Sequence, residues 1–219
     1  MARVPLFIEF SDKRVLVIGG CYFCTRIALK FSEAGAYVTV IALKPSSELI
    51  RANSTSNIDL IIADAGMFNY SRVIGVINLL VYAIPTNTEL KNRLRRMIKD
   101  RRVLFNDATN ANETEVVVPF EGEVNGIRFA VTTEGKSGVA ASIVRDYLQA
   151  ELAKSELHPL INAWYEVKQL IKKRVNDPHI RMSIYFELKY DENFIELARR
   201  GDMSNVVKYV NEVIKHHGY

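Results

Sequence analysis

Arg14-Val15-Leu16-Val17-Ile18-Gly19-Gly20-Cys21-Tyr22-Phe23-Cys24 is the stretch on which the fold turns. A short apolar run, β-rich and with no polar alternation, reads as a parallel strand buried on both faces. It stops at two glycines. Thr25 to Ala34 follows with apolar residues at Ile27, Ala28, Phe31 and Ala34, the spacing of a helix, and Gly35 ends that helix as a C-terminal glycine does. Tyr37-Val38-Thr39-Val40-Ile41-Ala42 is a second strand. Residues 14–42 therefore form a strand, tight turn, helix and strand of roughly 30 residues, the size of a βαβ unit.

The alternation continues outward. Ser47 to Asn53 reads as helix, Ile58 to Ala63 and Val76 to Ala83 as strands, Thr88 to Arg101 as a helix with Thr88 as N-cap, and Val103 to Asn106 as a fifth strand. Strands alternating with helices predict a Rossmann-type, doubly wound parallel sheet. After about residue 112 the pattern changes. Val116 to Pro119 is extended, 121–126 has hairpin-turn composition, Ile127 to Thr133 alternates as a strand, and Gly138 to Ala153 is helical. Such a β-hairpin and helix, with open edges, predicts pairing between two copies. From Glu151 onward the chain reads as helix, with breaks near Pro178, Asp191 and Arg200-Gly201-Asp202. The expected organisation is a dinucleotide-binding domain over 1–112, a dimerisation module over 113–150 and a helical domain over 151–219.

Composition limits the function classes. Hydrophobic residues make up 48% and charged residues 25% of the 219, ordinary values for a globular protein. No apolar run reaches the roughly 18 residues of a membrane helix. Met1 to Pro5 lacks the apolar stretch of a signal peptide, so a cytoplasmic protein is expected. The net charge of +4 is mildly basic, and no aromatic–basic interleaving suggests nucleic acid. Cys21 and Cys24 are the only cysteines and the four histidines lie far along the chain, so no metal site is expected.

The first turn carries the candidate chemistry. In the dinucleotide fingerprint G-x-G-x-x-G/A, the first glycine makes the turn, the second admits the pyrophosphate and the third position is small so that helix and strand pack closely. The pyrophosphate then sits on the helix N-terminus, whose free N–H groups attract anions. Gly19 fills the first role, Cys21 replaces the second glycine, and Cys24 takes the small third position. A Cys21 side chain would crowd a pyrophosphate, so a Rossmann domain that has lost its dinucleotide is the competing reading. A thiol near a helix N-terminus is also activated, which allows a redox pair, but two small hydrophobes in place of Gly and Ala are the preferred reading of both cysteines. Strand two ends Ala42-Leu43-Lys44 without the carboxylate that usually holds a ribose hydroxyl. Lys44 could face a 2′-phosphate, leaving NAD and NADP both open.

Several stretches together are similar to the precorrin-2 dehydrogenase and sirohydrochlorin ferrochelatase family, the N-terminal region of siroheme synthase. They are Pro5-Leu6-Phe7 with Lys13 to Gly20 (the family's V-V-G-G-G turn), Glu33 to Val40 (its E-A-G-A-x-V-T-V) and Tyr82 to Asn92 (its A-A-T-D-D-x-E-L-N). Thr132 to Gly138 resembles its S-T-G-G-K-S-P, and Asp191 to Phe194 with Arg200 to Asp202 resembles its tail helices. The resemblance implies a homodimeric oxidoreductase that uses NAD to oxidise precorrin-2 to sirohydrochlorin in siroheme and porphyrin biosynthesis, some members also inserting iron. It implies cofactor contacts at Gly19, Gly20, Cys21, Tyr22, Phe23, Leu43, Lys44 and Ala83, and tetrapyrrole contacts at Lys136 and Ser137. The family's catalytic aspartate in N-V-V-D falls on Thr109, and Asp107, two residues earlier, is the candidate general base, with turn capping as its plainer role. Ser137 is also a natural helix N-cap. Glu134 in the same loop would oppose an anionic substrate. The basic run Lys91 to Arg102 suits such a substrate, but reads first as a solvated helix face. The rivals are a tetrapyrrole-binding member without dehydrogenase activity, a chelatase alone, and a redox protein working through Cys21 and Cys24.

Overall fold

The computed structural model describes residues 3–155 and 157–219. Five parallel strands, β1 (Arg14–Ile18), β2 (Tyr37–Ala42), β3 (Ile58–Ile62), β4 (Leu79–Tyr82) and β5 (Leu104–Asp107), form one sheet in the order β3-β2-β1-β4-β5. This is the doubly wound order of a dinucleotide-binding sheet without its sixth strand. β1, β2 and β4 bury nearly every side chain because helices and loops cover both faces. On one face Val15, Val17, Val38, Val40, Leu79 and Val81 pack with Cys24, Ala28 and Phe31 of α1 (Tyr22–Glu33) and Leu49 of α2 (Ser47–Ala52). On the other, Leu16, Ile18, Leu80 and Phe105 pack with Leu90, Leu94 and Ile98 of α3 (Thr88–Ile98) and with Tyr70 and Ile74. The β3–β4 connection is a loop with one short 3-10 turn at Tyr70–Arg72, and the buried Tyr70 donates its hydroxyl to Ala65 O at 2.8 Å.

An antiparallel hairpin, β6 (Phe120–Val124) and β7 (Ile127–Val131), is followed by five helices: α4 (Gly138–Lys154), α5 (Leu157–Arg174), α6 (Pro178–Tyr190), α7 (Glu192–Arg199) and α8 (Met203–His216). The chain divides into two compact units. One runs through Pro119 and takes in Thr132–Ala140; the other comprises Phe120–Val131 and Ala141–Tyr219. In the second unit Ala163, Val167, Ile184, Leu188, Phe194, Val206 and Val210 close a helical core. Asp177, Asp191 and Asp202 each cap the helix that follows, accepting backbone N–H groups that would otherwise be unpaired.

Four local expectations shift. Asn87, not Thr88, caps α3, because its Oδ1 accepts from Leu90 N at 2.9 Å. The fourth strand begins at Leu79, since 73–76 turns back on itself through Val76 N to Val73 O. α1 begins at Tyr22, three residues early, because Cys21 caps it. The hairpin turn is only Asn125 and Gly126, at φ +50° and +79°, the paired left-handed geometry of a two-residue turn, so β6 extends through Val124.

Candidate cofactor and substrate site

The sheet runs β1 to β3 on one side and then crosses to β4 and β5 on the other, so the order reverses between β1 and β4. A crevice beyond the C-terminal ends of the strands at this switch point is where doubly wound sheets bind ligands. Successive hydrogen bonds line up its floor. Gly19 N donates to Ile41 O, Ala83 N to Ile18 O, and Ala108 N to Tyr82 O, at 2.9, 3.0 and 2.9 Å. Gly19, Ala83 and Asp107 are thus on neighbouring strand ends.

The β1–α1 turn requires its two glycines for different reasons. Gly19 has φ +132°, which an L side chain resists, and a Cβ there would lie 2.9 Å from Cys24 Sγ and 3.3 Å from Ala83 O. A Cβ on Gly20 would lie 2.5 Å from the Lys44 carbonyl, because the β1 and β2 turns touch there. Cys21 is extended (φ −71°, ψ 167°) and exposed, and its sulfur folds back onto the helix. It accepts from Cys24 N at 3.4 Å and lies 2.6 Å from Cys24 Sγ. The Cys21 sulfur is thus turned towards Cys24 and the first turn of α1. Tyr22, Phe23 and Leu43 are exposed around the turn, and Lys44 is exposed at the end of β2. These features fit a dinucleotide: two turns meet at glycine, and the mouth of a 12-residue helix is open. Thr25, fully buried, joins the first turn of α1 to Ser46, the N-cap of α2, at 2.9 Å.

Asp107 ends β5 with its side chain turned inward and fully buried. Oδ1 accepts from Thr109 N (2.9 Å), Thr109 Oγ1 (2.6 Å) and Asn110 N (3.2 Å). Oδ2 forms an ion pair with Lys91 Nζ at 3.1 Å, and its backbone N–H donates to the buried Thr114 hydroxyl at 2.8 Å. Lys91 also contacts Glu113 at 2.9 Å, and Glu113 reaches Arg95 at 3.4 Å. The hydrogen bond from Lys91 to Glu113, and then those to Asp107, hold the ammonium above the usual lysine range despite its burial. Burial pushes the neighbouring Tyr82 phenol upward, and its hydroxyl donates to Asn87 O at 2.5 Å. Ala108 and Thr109, by contrast, face solvent.

The loop carrying Lys136 and Ser137 lies against this one. Arg3 donates to Ala111 O and Thr114 O at 2.8 and 2.9 Å and also pairs with Glu134, and Gly135 meets Ala111 so closely that a Cβ would overlap it. Glu134 therefore enters the site with its charge matched by Arg3. Ser137 caps α4, accepting from Ala140 N at 3.1 Å, and is itself held by Thr133. Lys136 is exposed.

The structure thus gathers the β1–α1 turn, the end of β2, Ala83, the Asp107 loop and the Lys136–Ser137 turn within one unit. Sequence reasoning missed Lys91, Glu113, Thr114 and Arg3. Lys91 was expected on a solvated face; an aspartate at the end of a buried strand is the signal that a cation must be nearby. Much of the remaining basic run, including Arg96, Lys99, Arg101 and Arg102, is exposed as expected, while Arg93 turns in to donate to Gly66 O at 3.0 Å. Among the described residues no cluster of metal-binding side chains occurs, and no helix is long and apolar enough to cross a membrane.

Residues 6–120 match the family described as "Putative NAD(P)-binding". A Methanocaldococcus jannaschii protein named "Putative precorrin-2 dehydrogenase" is 23% identical over 206 residues, covering 92% of this chain and 99% of its own length. A siroheme synthase of Photorhabdus laumondii is 23% identical over 215 residues, covering 98% of this chain but 44% of its own. A solved structure, "SirC, precorrin-2 dehydrogenase", superposes with a TM-score of 0.68 at 17% identity, covering 96% of this chain and all of the other, and so shares the fold.

Proposed function

The chain belongs to the NAD(P)-binding family matched over residues 6–120, and from that membership we propose that it oxidises precorrin-2 to sirohydrochlorin with NAD as the acceptor. The observation that carries this reading is collinearity: the similarity runs through 99% of the protein named "Putative precorrin-2 dehydrogenase" rather than through the cofactor domain alone. The siroheme synthases continue well beyond the matched region, so activities housed in their remaining length are not assigned to this chain. The bound dinucleotide would supply hydride acceptance, one hydride and one proton leaving the macrocycle. The protein's own work is binding and positioning.

Gly19, Gly20, Cys21, Tyr22 and Phe23 would receive the pyrophosphate on the mouth of α1, with Leu43 and Lys44 beside the adenosine ribose and Ala83 beneath the nicotinamide end. Lys44, an exposed cation at the end of β2, favours NADP as a second reading, since it could pair with a 2′-phosphate. Lys136 and the Ser137 turn would meet the carboxylates of the tetrapyrrole. Asp107 is assigned to positioning: its buried carboxylate holds the loop that presents Ala108 and Thr109 to the crevice. Calorimetry with NAD and NADP tests the cofactor assignment. Tighter binding of NAD supports it, and tighter binding of NADP transfers it to the second reading.

A homodimer is part of this proposal. Within the second unit α4 exposes Ile143 and Tyr147 at i and i+4, with Val144 and Leu148 beside them, and buries only Ala141. A continuous exposed apolar stripe of this kind marks an association surface, and the two-stranded hairpin adds open edges.

A further inference from the structure

The cysteine pair is not used by the proposed reaction, and its two members differ in a way that two small core hydrophobes would not. Cys24 is fully buried against Ala28 and the β1 face, and burial, reinforced by the hydrogen bond with Cys21, pushes its thiol up to about 12. Cys21 is exposed at the N-cap of α1. Residues three apart on a helix share one face, and here the two sulfurs lie 2.6 Å apart. One thiol meets solvent and the other is accessible chiefly through the first.

We propose that Cys21 and Cys24 form a dithiol site oxidised by low-molecular-weight disulfides, and that a dinucleotide bound on the α1 turn shields it. The shielding rests on the cofactor reading above; the dithiol chemistry does not. In the reaction, the Cys21 thiolate attacks one sulfur of the small disulfide and expels one small thiolate. The Cys24 thiol then gives up its proton as its sulfur attacks the Cys21 sulfur of the mixed disulfide, expelling the second thiolate. The protein loses two electrons and two protons, and the small disulfide leaves as two thiols. Exposure sets this order, because Cys24 offers an incoming oxidant no open approach. The same exposure explains the shielding: a pyrophosphate seated on the N–H groups of Tyr22 and Phe23 would cover Cys21. The pair would thus report cofactor occupancy, reacting when the site is empty and resting when it is filled.

The test uses the whole protein and oxidised glutathione. The chain has two cysteines, so an intramolecular disulfide can have only one pairing. The expected result is that thiols titrated after denaturation fall from two to none per chain, the intact mass loses two hydrogens, no covalent dimer appears, and dithiothreitol reverses the change. NAD at about ten times its Kd should slow the loss about tenfold, as mass action on the free fraction requires. Cys21→Ala should retain its remaining thiol under the same oxidant, and Cys24→Ala should stop at a glutathione adduct. Persistence of both thiols in the parent protein, or arrest at the mixed disulfide, would overturn the dithiol site. An unchanged oxidation rate under NAD that calorimetry shows to be bound would overturn the shielding and leave the cofactor reading standing. Absence of binding of both NAD and NADP to the reduced protein would overturn the cofactor reading and the shielding together, while the thiol titration decides the dithiol site by itself.

Discussion

Asp107→Ala separates an anchoring carboxylate from a catalytic one. The wild-type side chain is fully buried, accepts three hydrogen bonds from Thr109 and Asn110, and pairs with Lys91 at 3.1 Å. Removing one member of a buried ion pair typically costs about 3–5 kcal/mol, since the other charge is left in a poor environment. Lys91 is not wholly abandoned here, because Glu113, less than half exposed, lies 2.9 Å from its ammonium. That places the expected loss near the lower end, about 3 kcal/mol. Asp107→Asn keeps an acceptor for the turn but sets a neutral amide against the ammonium, and should lose about 2 kcal/mol. Urea unfolding followed by far-UV circular dichroism measures the loss. Fluorescence of Trp164, the only tryptophan and a residue of the second unit, distinguishes that unit's transition. A loss below about 0.5 kcal/mol for Asp107→Ala, roughly the scatter of neutral surface changes, would refute the anchoring role. Full stability with abolished turnover would restore Asp107 as a candidate general base.

Three further outcomes follow from the same geometry. Gly20→Ala would set a Cβ 2.5 Å from the Lys44 carbonyl, so the β1 and β2 turns must part. NAD affinity measured by calorimetry should fall by about tenfold or more, the equivalent of about 1.4 kcal/mol. Ile143→Asp with Tyr147→Asp places two charges on the exposed stripe of α4 and should convert a dimer to a monomer in light scattering, with unchanged circular dichroism. The Lys91 ammonium is held above the ordinary lysine value of 10.5, chiefly by Glu113. Its stabilising contribution is therefore fully present below pH 10.5 and lost as pH rises through the raised pKa; a Lys91→Met protein should lack that alkaline decline in a pH series of urea midpoints.

The sheet was legible because its signals are local and mutually consistent. Val15 to Ile18 and Tyr37 to Ala42 are apolar runs bounded by glycine, and the helix between them has one apolar face. The helix starts were harder to read. Asn87 and Thr88 are both natural caps, and only the bond to Leu90 N separates them. Cys21 is a rare cap, so three residues of α1 were read as loop. At the site, the glycine turn announced its place through spacing alone. The Asp107 network did not, since its partners come from α3, from Glu113 and from Thr114, and no periodicity links a lysine on a helix to an aspartate 16 residues later. Arg3, which joins the Asp107 loop to the Glu134 turn, acts across more than one hundred residues of chain.

Anaerobic incubation of the purified protein with precorrin-2 and NAD, following both the reduced nucleotide and the macrocycle by absorbance, decides whether the chain oxidises precorrin-2. Sirohydrochlorin and NADH should appear together in equal amounts, with neither formed when the protein is left out. A folded protein that yields neither product with NAD or NADP is not a precorrin-2 dehydrogenase.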